Sequence, residues 1–321
     1  MAAAAIETDA LTKDYQVGFW RKRPYRALDR LTIRVEPGEV FGFLGPNGAG
    51  KSTTLKLLMG LIFPTSGTAR ILGRPVDEPA VRRRVGFLPE NPAFYDHLSA
   101  EELLTYFAGL CGLKGEERRR RASAALDEVG LGGERRMRLR SYSKGMIQRV
   151  GVAQALVGEP EVLFLDEPMS GLDPLGRRQM RQLMLSLRDR GCTVFFSSHI
   201  LSDAEAMCSR VAVLAQGRLV AQGTLADMMA FEQRGWEVVV SNLTDAIRAT
   251  LNGRVSSITP LSNNRYTLEL PPSEPPARLL HELSLHGVEV VSLNPIRGTL
   301  EDYFVTLVGA AASRDLSGLG A

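Results

Sequence analysis

Apolar residues fall into two textures along the chain. In the first half, short unbroken apolar runs alternate with stretches of helical period, which predicts a mainly parallel sheet with helices between its strands. VFGFL (40–44) predicts a buried strand, and KSTTLKLLMGL (51–61) a helix after it. LTIRVEPGEV (31–40) alternates apolar and polar positions and meets Pro37-Gly38, the pattern and turn of a hairpin. Over about 98–158 the period becomes helical, in SAEELLTYFAGLCGL, EERRRRASAALDEVGL and GMIQRVGVAQALVG. Ser99 followed by Glu102 predicts a capping box at the start of the first of these helices. Two further buried strands, VLFLD (162–166) and TVFFSS (193–198), flank the helical PLGRRQMRQLMLSLRDRG, and VAVLAQGRLVAQG predicts a hairpin turning at Gly217.

From about Phe231 the texture changes. WEVVVSNL, VSSITPL, RYTLELP and VEVVSL are strand-like, while TDAIRATLNG and PPARLLHELSLHG are helical. That order, βαββαβ, predicts a small α+β ferredoxin-like unit. TLEDYFVTLVG (299–309) predicts a last short helix, and residues 311–321 a disordered tail. The chain therefore divides into a first domain over 1–228, with a helical subdomain over about 91–158, and an accessory domain over 229–310. No internal repeat is visible.

Composition adds exclusions. The 321 residues are 44% hydrophobic and 23% charged, ordinary for a globular protein. A net charge of +3 gives no argument for direct nucleic-acid binding. Basic runs at 21–23, 82–84 and 118–121 are expected to be solvated faces, with loops facing anionic headgroups or an acidic partner as the alternative. Cys111, Cys192 and Cys208 lack paired or metal-ligand spacing, so reduced, packed cysteines of a cytosolic protein are expected. MAAAAIETDA lacks the basic start of a secretory signal, and no apolar run reaches the roughly 18 residues of a membrane span. Membrane contact would have to come through a partner.

The chemistry begins at Gly45-Pro46-Asn47-Gly48-Ala49-Gly50-Lys51-Ser52-Thr53, which fits G-x-x-x-x-G-K-[ST]. Its glycines let backbone N–H groups turn toward a phosphate, and the following helix adds its positive dipole end. Lys51 would bridge β- and γ-phosphate oxygens, and the Ser52 hydroxyl would ligate Mg²⁺. VLFLDE delivers Asp166 at the end of a buried strand, where it can hold Mg²⁺. Glu167 follows it and could polarise an attacking water as general base.

SYSKGMIQRVGVAQAL (141–156) discriminates among phosphate-loop machines. Here the chain resembles the ATP-binding-cassette (ABC) ATPases, whose LSGGQ-type signature stands at this place. The resemblance covers about residues 6–228. It implies a P-loop NTPase fold of the ABC class, binding ATP and Mg²⁺, with Ser143 and Gly145 contacting the γ-phosphate held by an opposite subunit. It further implies that Ser170-Gly171-Leu172-Asp173 is a D-loop, that His199 is a switch histidine, and that Tyr15 stacks on adenine. An apparent insertion over 16–25 leaves Trp20 and Tyr25 as rival stackers. Two positions depart from the family pattern. Glu90 stands where a glutamine usually ligates the metal, and the signature reads YSKGM, with Lys144 and Met146 in place of glycine and glutamine.

Such a resemblance implies an ATPase that pairs as a homodimer or with a related subunit. It would drive transmembrane permease subunits from the cytoplasmic face of the membrane. The runs around the phosphate loop, Glu90, the signature and Asp166 look most like ABC-2-type exporter ATPases, so export is expected. Alternatives are an importer ATPase and a soluble ABC protein of translation or DNA repair.

Overall fold

A computed structural model describes residues 3–18, 22–229, 233–251 and 253–297. In chain order the elements up to the signature are β1 (Ile6–Val17), β2 (Arg23–Val35), β3 (Val40–Leu44), α1 (Lys51–Leu58), β4 (Ser66–Ile71), β5 (Arg74–Pro75), α2 (Pro79–Arg82) and β6 (Val85–Leu88), then α3 (Ala100–Leu110), α4 (Gly115–Glu128) and α5 (Lys144–Leu156). They continue as β7 (Val162–Asp166), α6 (Pro174–Asp189), β8 (Thr193–Ser198), α7 (Leu201–Glu205), β9 (Arg210–Ala215), β10 (Arg218–Thr224) and α8 (Leu225–Met229). Beyond them lie β11 (Gln233–Ser241), α9 (Asp245–Thr250), β12 (Ser257–Leu261), β13 (Arg265–Leu270), α10 (Pro276–Leu285) and β14 (Glu289–Arg297). They form two compact units that divide between Leu225 and Ala226.

The first unit is built on a six-stranded sheet in the order β10-β9-β3-β8-β7-β6. Its central pairs are parallel, and β10 alone runs antiparallel, at one edge. VFGFL, VLFLD and TVFFSS are buried at every position, as strands covered on both faces must be. Phe41, Phe43 and Phe164 surround Phe195 with ring centroids 5.2–5.6 Å apart. These rings form an aromatic floor beneath the carboxyl ends of the strands. A second, antiparallel sheet, β2-β1-β4-β5, joins the same core through Ile6, Leu28, Leu31 and Ile33, with Leu55 and Leu58 of α1.

The expected hairpin through Pro37-Gly38 is not formed. β2 pairs with β1, Val35 opposite Ile6, whereas β3 pairs with β8, Val40 opposite Val194. A turn between paired strands and a corner between two sheets use the same residues. The distinguishing mark is the change from alternating burial in 31–35 to complete burial in 40–44. By contrast, β9 and β10 do form a hairpin, with Gln216 and Gly217 both at positive φ as a type I′ turn requires.

α3, α4 and α5 make the helical region. Its first helix starts with the expected capping box: the Glu102 N–H donates to Ser99 Oγ at 3.2 Å and the Ser99 N–H to Glu102 Oε2 at 2.8 Å. Cys192 and Cys208 are buried, but Cys111 is exposed. It caps the C-terminus of α3, so apolar neighbours in sequence did not make it a packed residue. Arg84 pairs with Glu161 and Arg120 with Glu117 at solvated positions, whereas Arg121, which also faces Glu117, is largely buried, with an Nε that has no hydrogen-bond partner.

The second unit is an antiparallel sheet in the order β12-β13-β11-β14, with α9 and α10 as its crossovers. This is the βαββαβ ferredoxin-like arrangement. Val238, Val240, Leu268, Leu270, Leu279 and Leu283 form its core. Arg254 ties the loop at Glu274 to Glu282 of α10. The predicted helix at 299–309 and the tail lie outside the described residues, as does Trp20. Among the described residues, no helix is long and apolar enough to cross a membrane.

Candidate functional site

A cleft of about 490 Å³ opens at the carboxyl end of β3 and is walled by Tyr15, Tyr25, Asn47, Gly48, Gly50, Lys51, Ser52, Thr53, Glu90, Glu167, Ser170 and His199. Its volume suits a nucleotide-sized ligand. The loop between β3 and α1 forms the floor. Gly50 has φ +106° and ends the loop with its Cα against the Ala27 carbonyl, where a Cβ would lie 2.5 Å from the oxygen. Gly45 is equally confined, since a Cβ there would meet the Leu214 carbonyl at 2.4 Å. The backbone can follow this path only without side chains at both positions. The first-turn N–H groups of α1 have no partner within the helix and point toward the cleft as an anion site.

Lys51 is buried, 6% exposed, and its Nζ donates to the Gly45 carbonyl at 2.7 Å and the Pro46 carbonyl at 3.3 Å. It also lies 3.2 Å from Glu167 Oε1. That contact pairs the charges without hydrogen-bond alignment, for Glu167 Oε1 has no hydrogen-bond partner. The other oxygen, Oε2, is 2.9 Å from His199 Nδ1. Glu167 adopts φ +50°, a left-handed conformation costly for a side chain with a Cβ. The tight turn out of β7 imposes it and aims the carboxylate between lysine and histidine.

Asp166 is buried at the end of β7 and accepts from Ser197 Oγ at 2.6 Å, while the same oxygen accepts from the Glu167 N–H at 3.0 Å. Ser197 thus holds both acidic residues. No motif in the sequence marks Ser197 for this role. Its signal was register, because β7 and β8 run parallel with Asp166 beside Ser197.

Tyr15 and Tyr25 sit opposite each other in the β1–β2 pair, so the apparent insertion is a lengthened hairpin with both rings on one wall. Lys13 Nζ lies 5.3 Å from the Tyr15 ring centroid. Glu90, two residues past β6, is exposed at the rim of the cleft. Ser143, Gly145 and Asp173 do not line it. Ser143 caps α5 by accepting from the Met146 N–H, and Asp173 caps α6 by accepting from the Gly176 N–H at 2.8 Å. Lys144 lies along Gly171, where a Cβ would be 2.6 Å from its Nζ, so the two loops carrying these caps touch. Gln148, buried in α5, joins them too by donating to the Pro168 carbonyl at 3.3 Å.

Fold and cleft together define a phosphate-loop, nucleotide-binding α/β protein. The family model described as ABC transporter matches residues 28–170. An uncharacterized ABC transporter ATP-binding protein of Synechocystis is 43% identical over 305 residues, 94% of this chain and 84% of that one. The daunorubicin/doxorubicin resistance ATP-binding protein DrrA of Streptomyces peucetius is 35% identical, covering 96% and 93% respectively. Among solved structures, the post-hydrolysis dimer of the ATP-binding cassette MJ0796 with ADP and Pi matches at 27% identity with a TM-score of 0.63. It covers 68% of this chain and 98% of that one. The chain belongs to the ABC transporter ATP-binding proteins, and as such it is an ATP-binding ABC ATPase.

Proposed function

We propose that two copies of this chain, or this chain and a related subunit, close around two ATP molecules. Closure drives separate transmembrane subunits from the cytoplasmic face of the membrane, in the direction of export. One observation carries the reading: Glu167 is held at the cleft between Lys51 and His199. A carboxylate so placed can take the proton of a water that attacks the γ-phosphorus. As the new P–O bond forms, the bond to the β-phosphate oxygen breaks and the water's proton passes to Glu167. His199 orients that carboxylate, and Lys51 exchanges its carbonyl partners for phosphate oxygens. Loop N–H groups from Asn47 to Thr53 hold the phosphates, and Tyr15 with Tyr25 offers the base a stacking wall.

Ser52 and Asp166 would hold Mg²⁺, with Glu90 at the rim as a third oxygen donor. No group of three or more acidic, histidine or cysteine side chains that could hold a metal alone exists among the described residues. The oxygen donors of Ser52, Asp166 and Glu90 are of the kind that suits Mg²⁺. When bound, it neutralises charge developing on the phosphates. In a second copy, Ser143 and Gly145 would supply a helix N-terminus to the γ-phosphate, with Asp173 beside them. Export is favoured by the likeness to DrrA, a resistance protein in its own organism.

Glu167→Gln tests the core of the reading. ATP turnover is expected to fall roughly 10²- to 10⁴-fold while ATP binding persists. Wild-type turnover in that variant would remove Glu167 from the role.

A further inference from the structure

Asp203 is a buried carboxylate that the proposed reaction leaves unused. It lies on α7, four residues after His199, with its side chain 3% exposed. Its Oδ2 has no hydrogen-bond partner. Facing it is Arg177, in the first turn of α6, whose Nη1 stands 3.7 Å from that oxygen. Through Nε the same guanidinium donates to the Leu172 carbonyl at 3.4 Å. Leu172 belongs to the turn that brings Ser170 to the cleft. Burial pushes the Asp203 carboxyl up and Glu167 adds to this, whereas Arg177, Arg181 and His199 act against it.

An exposed pair at such a distance would carry no argument. Here the carboxylate is buried and Arg177 is the arginine paired with it, so removing Arg177 strips the buried anion of its close partner and leaves only the more distant Arg181 and His199. The guanidinium also spans two segments that flank Glu167. One is the 167–173 turn, reached through the Leu172 carbonyl. The other is the helix beginning two residues after His199, reached through Asp203.

We propose that Arg177 and Asp203 are a positioning pair that locks the Ser170-bearing turn to the His199-bearing segment on either side of Glu167. The pair rests on Glu167 acting as the general base. Neither residue lines the cleft, and the effect of the pair runs through placement. A misplacement of about 1 Å at such a site can cost up to roughly 10²-fold in rate.

The experiment uses the full chain with Arg177→Met, Asp203→Asn and the double variant. Turnover, KM for ATP, binding of a slowly hydrolysed ATP analogue and the unfolding temperature are measured for each. Arg177→Met, which keeps the stem but not the charge, is expected to lower kcat about tenfold or more, with analogue binding changed less than about twofold. Asp203→Asn is expected to lose less. The double variant should turn over no more slowly than Arg177→Met and unfold at a higher temperature, because the unpaired anion is gone.

Multiplying losses in the double variant would overturn the pairing. So would a lower unfolding temperature with kcat intact, or lost analogue binding with kcat intact. If the pair behaves as expected but Glu167→Gln hydrolyses ATP at the wild-type rate, the general-base reading fails instead and the link between the two segments stands.

Discussion

At the scale of single residues, the site depends on the buried pair Lys51 and Glu167, with the exposed His199 against the second carboxylate oxygen. Lysine and glutamate are each nearly inaccessible, so each charge is tolerated because the other is present. Lys51→Ala is therefore expected to act twice. ATP affinity should fall roughly 10- to 100-fold, the usual weight of a charge-assisted contact. The folded state should also lose roughly 3 kcal/mol through the stranded Glu167 carboxylate. Adding Glu167→Gln to Lys51→Ala should recover part of the stability and none of the affinity. Calorimetric titration with ATP and chemical denaturation separate the two effects. The motif made Lys51 and Glu167 legible one by one, but not their 3.2 Å contact, because their sequence separation says nothing about the strand order that brings them together.

At the scale of elements, local chemistry starts the helices and sheet register aims the acids. Ser99 and Glu102 satisfy each other's backbone donors at the head of α3. Ser99→Ala should cost about 1 kcal/mol. The Ser99 N–H and hydroxyl hold the Glu102 carboxyl below its ordinary value of 4.5. Because the folded-state value is depressed, this stabilisation is complete above pH 4.5 and disappears as pH falls through the depressed value. The gap between wild type and Ser99→Ala should therefore narrow on acidification below about pH 4.5, read from denaturation midpoints across pH. Strands β7 and β8 do for the site what this cap does for α3. Their parallel register sets Ser197 beside Asp166, and that neighbour fixes two acidic residues at once.

At the scale of the whole molecule, the cleft of one chain is not lined by Ser143, Gly145 or Asp173. All three lie at the starts of α5 and α6, exposed or half-buried. If a second subunit completes the site there, a bulky cation should block pairing without touching the phosphate loop. Ser143→Arg, placed in the Glu167→Gln background, should keep ATP binding yet abolish an ATP-induced doubling of mass. Light scattering with and without ATP reads this directly, and doubling that survives would exclude Ser143 from the interface. The unit from Ala226 onward has its own core and ion pairs, so it carries its stability locally.

Most of the elements and the chemical identity of the site are legible in the linear chain. Buried parallel strands are continuous apolar runs, the phosphate loop needs glycine at set spacings, and helix caps are written in adjacent residues. All are local requirements, so they survive in a linear reading. Which strands become neighbours is settled by packing in three dimensions. Pro37-Gly38 is a corner between sheets rather than a hairpin. Tyr25 stands beside Tyr15, Ser197 supports Asp166 and Glu167, and Arg177 meets Asp203 across two helices. The contacts of Ser197 and Arg177 join residues far apart in the chain. They are fixed by packing around Phe195 and by strand order, and neither leaves a local pattern.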